Sequence, residues 1–272
     1  ENISVCNLAS INLSRHLVDG RPDFAKIAES ARLAVRQLDN LIDITVSSVD
    51  EADHANTTNR AIGLGVMGFT DVVEKLGYSY DSEESFDLDT IDLTEADRGV
   101  EVQVNRTTRL DWDALRQKVK GGMRNATLMA IAPTASIGLV AGTTPGLDPQ
   151  FSQIFSRSTS SGKFLEVNRN LVETLRERGL WESVRESILR SQGDIQGISA
   201  IPDDVKATYK TSFQLSPYAF LEVAARAQKW IDQAISRNMY LETRDVDEMV
   251  NIYSEAWKKG VKTTYYLHMK PR

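Results

Sequence analysis

The run Leu128-Met129-Ala130-Ile131-Ala132-Pro133-Thr134-Ala135-Ser136-Ile137-Gly138 changes character halfway along. Its five apolar residues have the length of a buried strand. Pro133 then breaks the run, and proline suits the first turn of a helix, where its missing N–H costs nothing. Thr134 or Ser136 can cap that turn. A strand feeding a helix with hydroxyls in its first turn suits an anion, because free N–H groups point outward and the helix dipole is positive there. The same pattern also describes an ordinary strand-to-helix turn with a good cap.

On the N-terminal side of this run, residues 111–119 read as a short helix ended by Gly121-Gly122, and residues 124–127 lead into the strand. On its C-terminal side, a Gly/Pro turn closes the helix by Pro149. A strand and turn follow over 151–164, then helices over 168–178, 181–189 and 202–209. Residues 217–236 read as one long helix, with Phe220, Val223, Ala224, Ala227, Trp230, Ile231, Ala234 and Ile235 as its buried stripe. A last helix over 245–259 stops at Gly260, and the β-branched and aromatic residues after it read as a strand. In a regular strand the adjacent Tyr265 and Tyr266 would point to opposite faces.

Nearer the N-terminus, residues 1–14 read as strand and loop around Cys6, whose usual fate as a free thiol is burial as a small hydrophobe. Residues 22–49 read as a long helix with a stripe running from Phe24 through Leu38, Leu41 and Ile42 to Thr45. Gly63, Gly65 and Gly68 spell G-x-G-x-x-G. The residues before them are polar and no acidic residue ends a second strand at the right offset, so a dinucleotide fingerprint is not supported. Those glycines are better read as letting a helix or turn pack closely on a sheet. Residues 70–76 continue as helix to Gly77, and 78–109 form an acidic surface connection with one strand over 100–104.

Of the 272 residues, 41% are hydrophobic and 26% charged, enough for a large core. A net charge of -6 argues against nucleic acid as a partner. No apolar run approaches a membrane span. One cysteine excludes an internal disulfide, and three scattered histidines make no metal signature, so the expected metal content is none and the expected compartment cytoplasmic. The first residue is Glu1, which reads as a piece of something longer or a processed product.

Three stretches occur together in order: Cys6-Asn7-Leu8-Ala9-Ser10-Ile11-Asn12-Leu13, Met123 through Ser136, and Gly260-Val261-Lys262-Thr263-Thr264-Tyr265-Tyr266. Jointly they resemble the large (α) subunit of class I ribonucleotide reductase, as do residues 59–69 and 230–236. The likeness covers nearly the whole chain except about 83–87, where the family looks longer. The resemblance implies a helix-rich α/β fold: the second half of a ten-stranded α/β barrel of two antiparallel five-stranded halves. Residues 1–272 would be the C-terminal portion of that one catalytic domain, without its upstream half.

The implied reaction replaces the 2′-OH of a ribonucleoside diphosphate by hydrogen. By this resemblance Pro133, Thr134, Ala135, Ser136 and Ile137 hold the substrate diphosphate, although Ile137 stands where many relatives carry a hydroxyl. Cys6 is the second cysteine of the reducing pair, and Tyr265 and Tyr266 relay the radical. For both rings to lie on one path, the backbone there must depart from strand alternation. The implied partners are a small radical-generating subunit with a di-iron or iron/manganese cofactor, thioredoxin or glutaredoxin as reductant, and a second large subunit. ATP and dNTP effectors would bind N-terminal to this chain. The Asn-x-Cys-x-Glu finger loop is absent from the sequence, so the chain alone is not expected to turn over. Other readings are a cobalamin-dependent class II reductase, against which the tyrosine pair argues, a split or inactive paralogue that only binds a partner, and a nucleotide-binding oxidoreductase built on the glycine run.

Overall fold

The structure, a computed structural model, describes residues 3–82, 110–159 and 162–270. The expected strand over 100–104 and the shortened stretch at 83–87 lie outside them. Strand β1 (Leu8–Asn12) leads through a single 3-10 turn to the two-residue strands β2 (Leu17–Val18) and β3 (Arg21–Pro22), which pair antiparallel. Asp23 caps helix α1 (Phe24–Ile44) by accepting from the Lys26 N–H at 3.0 Å. Helix α2 (Asp50–Asn59) ends at Arg60, which is left-handed, and strand β4 (Gly63–Met67) and helix α3 (Phe69–Lys75) follow. Next come α4 (Trp112–Val119), α5 (Ala135–Ala141), the hairpin β5 (Ile154–Thr159) and β6 (Gly162–Val167), α6 (Arg169–Glu177), α7 (Trp181–Arg190) and α8 (Asp203–Thr208). The chain finishes with α9 (Pro217–Gln228), β7 (Met239–Leu241), α10 (Val246–Lys258) and β8 (Leu267–Met269).

Five extended segments lie side by side and parallel. β1 pairs with β4, Leu8 opposite Gly63 and Ile11 opposite Val66. Single bridges carry the order onward from Leu64 to Met129 and from Ile131 to Ile235. The fourth segment runs on into β7, which pairs with β8, Met239 opposite Leu267. This is the expected half barrel, only partly formed as regular strand. Residues 128–132 run as the expected extended segment, but they make bridges and no full ladder.

Two glycines set the spacing between the second and third segments. A methyl at Gly65 would stand 2.2 Å from the Ala130 carbonyl oxygen, and one at Gly63 would stand 2.8 Å from the Ala130 Cβ. The glycine run is therefore a strand, where the sequence suggested a helix or turn. Only its last glycine turns: Gly68 has φ +77° and starts α3.

Other expectations change for identifiable reasons. The helix expected over 22–49 is interrupted: Pro22 belongs to β3, α1 stops at Ile44, and α2 is a separate helix. Its stripe is also narrower. Leu38 and Ile42 are buried against Ile11, Ile62 and Leu64, while Phe24 is 76% exposed and Leu41 is exposed. The helix expected over 217–236 ends at Gln228, whose amide donates to the carbonyls of Ile231 and Gln233 and turns the chain. Ile235 is buried on an extended segment and Ile231 in the turn that precedes it; their spacing fits both periods. The final strand shrinks to Leu267–Met269.

The main core joins α3, α9, α10, β7 and Ile131, and a second core lies under β5, α6, α7 and α8. Between the two lies a buried polar joint. Glu74 of α3 accepts from the side-chain amides of Asn168 (3.0 Å) and Asn170 (2.8 Å), and Asn168 also donates to Gln153. Burial pushes the Glu74 carboxyl up to about 8, against the pull of those amides.

Two outcomes follow from this packing. Gly65→Ala should destabilise by about 1–3 kcal/mol through overpacking, read as a lower urea midpoint at unchanged slope. Because the Glu74 carboxyl titrates higher folded than its ordinary 4.5, folding takes up protons between about 4.5 and 8. Stability from this group is full below that window and lost as pH rises through it. Glu74→Gln should flatten the profile of unfolding free energy against pH across that window, measured by urea titration at several pH values.

Candidate functional site

The third extended segment ends at Ala132, and Pro133 turns it into α5. Thr134, at the cap position, is left-handed with φ 48° and ψ 26°, a strained conformation for a β-branched residue. Its side chain does not cap the helix. Thr134 is buried, and its Oγ1 accepts from the Gly146 N–H at 2.8 Å. The capping role expected of Thr134 is thus replaced by a tie to the loop after α5. The first intrahelical bond runs from the Gly138 N–H to the Thr134 carbonyl at 2.7 Å. The N–H groups of Ala135, Ser136 and Ile137 belong to the opening turn, which has no intrahelical acceptor for them. All three residues are exposed, and no acidic side chain sits in that turn.

The loop after α5 is pinned from several sides. The Asp71 carboxylate accepts from the Thr143 hydroxyl (2.7 Å), the Thr144 N–H (2.6 Å) and the Thr144 hydroxyl (2.8 Å). The Leu147 carbonyl accepts from the Tyr80 hydroxyl (2.8 Å) and from Arg237 Nη1 (3.0 Å). Asp148 faces Arg237 Nη1 at 3.2 Å and accepts from the Asn238 amide at 2.5 Å. Burial pushes the Asp148 carboxyl up, and the Arg237 charge works against that shift.

Tyr265 and Tyr266 stand on irregular backbone just before β8. Their rings lie on one side, centroids 4.1 Å apart, with the Tyr265 hydroxyl donating to the Tyr266 hydroxyl at 3.2 Å. They are 44% and 59% exposed. The departure from alternation that a shared path requires is therefore present. The Tyr265 phenol is shifted up by its hydrogen bond to Tyr266 and by the charge Tyr266 would carry. The Tyr265 N–H donates to the Arg237 carbonyl at 2.7 Å, and Arg237 lines one small void with Pro133. The structure thus brings the 133–137 turn and the tyrosine pair to adjoining segments.

Cys6 is not drawn into this group. It is exposed ahead of β1, contrary to the burial expected of a free thiol, while its neighbour Asn7 is buried on Asn56 and the Ala61 carbonyl. A polar cavity of about 320 Å³ opens along the other side of α5, at Gly138, Leu139 and Gly142, with Arg15, Lys75 and Asp71 around it. It shares no residue with the 133–137 turn. Among the described residues, no group of three histidine, cysteine, aspartate or glutamate side chains could hold a metal ion, and no helix is long and apolar enough to cross a membrane. Sequence reading missed Tyr80, Asp148 and Arg237. Arg237 lies in the polar triplet Ser236-Arg237-Asn238 between Ile235 and Met239, which does not set it apart from a surface charge.

Comparison with known proteins gives a consistent assignment. The model of the ribonucleotide reductase barrel domain matches residues 1–96 and 91–267. The ribonucleoside-diphosphate reductase subunit alpha of Chlamydia muridarum is 37% identical over an alignment of 308 positions, which takes in 97% of this chain and 29% of that protein. The large subunit from Caenorhabditis elegans is 34% identical over the whole chain and 39% of its own length, and that of vaccinia virus is 32% identical over 99% and 39%. This chain therefore spans roughly a third of the length of these relatives, and an alignment longer than its 272 residues means that the relatives carry residues it lacks. In fold, it matches the Actinobacillus ureae class Id ribonucleotide reductase alpha subunit with a TM-score of 0.73 and 24% identity, covering 97% of this chain and 49% of that one. The chain belongs to the ribonucleotide reductase large-subunit family and carries part of its barrel domain.

Proposed function

We propose that this chain is part of a class I ribonucleoside-diphosphate reductase, in which it holds the substrate diphosphate and carries the final relay of the radical. The observation that carries this reading is the tyrosine pair, side by side and hydroxyl to hydroxyl at 3.2 Å, one segment from an anion-suited helix start. At that distance a proton and an electron pass together. The Tyr265 O–H bond breaks as a Tyr266 phenoxyl regains its hydrogen, and the radical moves to Tyr265. A thiol outside this chain then gives its hydrogen to Tyr265 and becomes the thiyl that opens the reaction.

The diphosphate rests on the N–H groups of Ala135, Ser136 and Ile137 and on the Ser136 hydroxyl. Pro133 and Thr134 shape the turn, and Ile137 offers only its backbone. Cys6 and a second thiol from outside this chain supply two electrons and two protons as they form a disulfide. The 2′-oxygen leaves as water and hydrogen takes its place. Thioredoxin or glutaredoxin resets the pair by thiol exchange. The radical comes from a small subunit that holds a di-iron or iron/manganese centre. The exposed apolar face of α10, with Val246, Val250, Tyr253 and Trp257, lies in sequence just before the relay and supports docking of that subunit. Effector nucleotides and the second large subunit engage other parts of the whole protein, which works in the cytoplasm.

The test is to read the coding sequence upstream of Glu1 against the intact mass of the native product. An in-frame Asn-x-Cys-x-Glu segment in one polypeptide is expected. In that product with its small subunit, Tyr265→Phe and Tyr266→Phe should each reduce deoxynucleotide formation to background and leave nucleoside diphosphate binding intact. A start codon close to Glu1 with a mass near 30.3 kDa overturns the single-chain reductase and leaves a split or inactive protein.

A further inference from the structure

Arg237 is the largest fully buried side chain among the described residues, 1% exposed. A buried guanidinium is costly unless its partners are well placed. Nη1 meets the Leu147 carbonyl and Asp148, and the flat group lies over the Phe220 ring, 5.0 Å from its centroid. Among the described residues, the hydrogen bond and ion pair that Arg237 makes to the loop after α5 both run through Nη1. Nη1 thus grips residues 147 and 148, and the loop they end lies directly against the 133–137 turn. The Gly146 N–H holds Thr134 Oγ1, and a methyl at Gly146 would stand 3.2 Å from the Ala132 carbonyl oxygen. Thr134 keeps its strained left-handed backbone only while that loop stays in place.

We propose that Arg237 is a positioning residue for the diphosphate turn, acting through Asp148, the Leu147 carbonyl and the Gly146–Thr134 bond without touching the substrate. The inference rests on the reading that residues 133–137 hold the diphosphate. It adds that the accuracy of that turn is set by a buried ion pair on a neighbouring segment, the same segment whose Arg237 carbonyl anchors the Tyr265 backbone.

The test uses the native reductase with its small subunit, CDP as substrate and inorganic pyrophosphate as competitor. Arg237→Gln should raise the KM for CDP and the inhibition constant of pyrophosphate together by about tenfold, which is ~1.4 kcal/mol, with kcat at saturation largely kept. Arg237→Lys, which restores a point charge to Asp148, should recover part of that loss. A purely structural role would lower kcat with the folded fraction and leave both constants unmoved, and that result overturns the proposal. If Arg237→Gln does not fold, Asp148→Asn takes its place: it weakens the same pair without leaving an unpaired carboxylate, and unchanged constants there also overturn the proposal. If the unsubstituted enzyme shows neither CDP saturation nor pyrophosphate competition, the reading of the turn itself fails, and the inference with it.

Discussion

Strand β4 and residues 128–131 approach so closely that no side chain fits between them at Gly63 and Gly65. Everything that bears on chemistry is referred to that contact. It fixes the third segment against β1 and β4. The third segment in turn fixes the fourth, through Ile131 and Ile235, and the fourth fixes β8. A strand displaced by a single methyl at Gly65 would carry the 133–137 turn with it, because Pro133 follows the bridge at Ile131 with one residue between.

Beyond the backbone, the loop that follows α5 is held almost wholly by polar side chains from elsewhere. Asp71 secures its start, Arg237 and Tyr80 secure its end, and Thr70 donates to the Asp148 carbonyl at 2.8 Å. Such groups are stabilising only when every partner is present, since an unpaired buried donor or carboxylate is more costly than an apolar substitute. The arrangement therefore specifies one loop geometry more than it adds stability. That is the demand a helix start places on its surroundings if it is to present N–H groups to an anion in a fixed direction.

Much of the helical content was legible from end signals. Asp23, Asp111, Asn168 and Asp245 each accept from an N–H in the first turn of the helix they precede. The extended segments were harder to read. Ile231 and Ile235 continue the helical stripe of α9 and equally alternate along a strand, so periodicity could not end that helix; the Gln228 side chain did. The glycine run does alternate, with Ile62, Leu64 and Val66 packed on one core, but the positions between them are Gly63 and Gly65, residues that usually weaken a strand and are present because their neighbours leave no room for a side chain.

The sequence by itself determined the membership of the family, through three ordered stretches, and with it the residue types at the candidate site: Pro133, Thr134 and Ser136 at a helix start, two adjacent phenols, and one thiol at Cys6. Those are covalent facts and survive without a fold. Only the tertiary structure decided that Thr134 turns inward onto Gly146, that Tyr265 and Tyr266 share one side, and that Arg237 stands between them and the turn. The Thr134–Gly146 and Arg237–Leu147 contacts join residues 12 and 90 apart along the chain, and local propensity carries no information about such pairings.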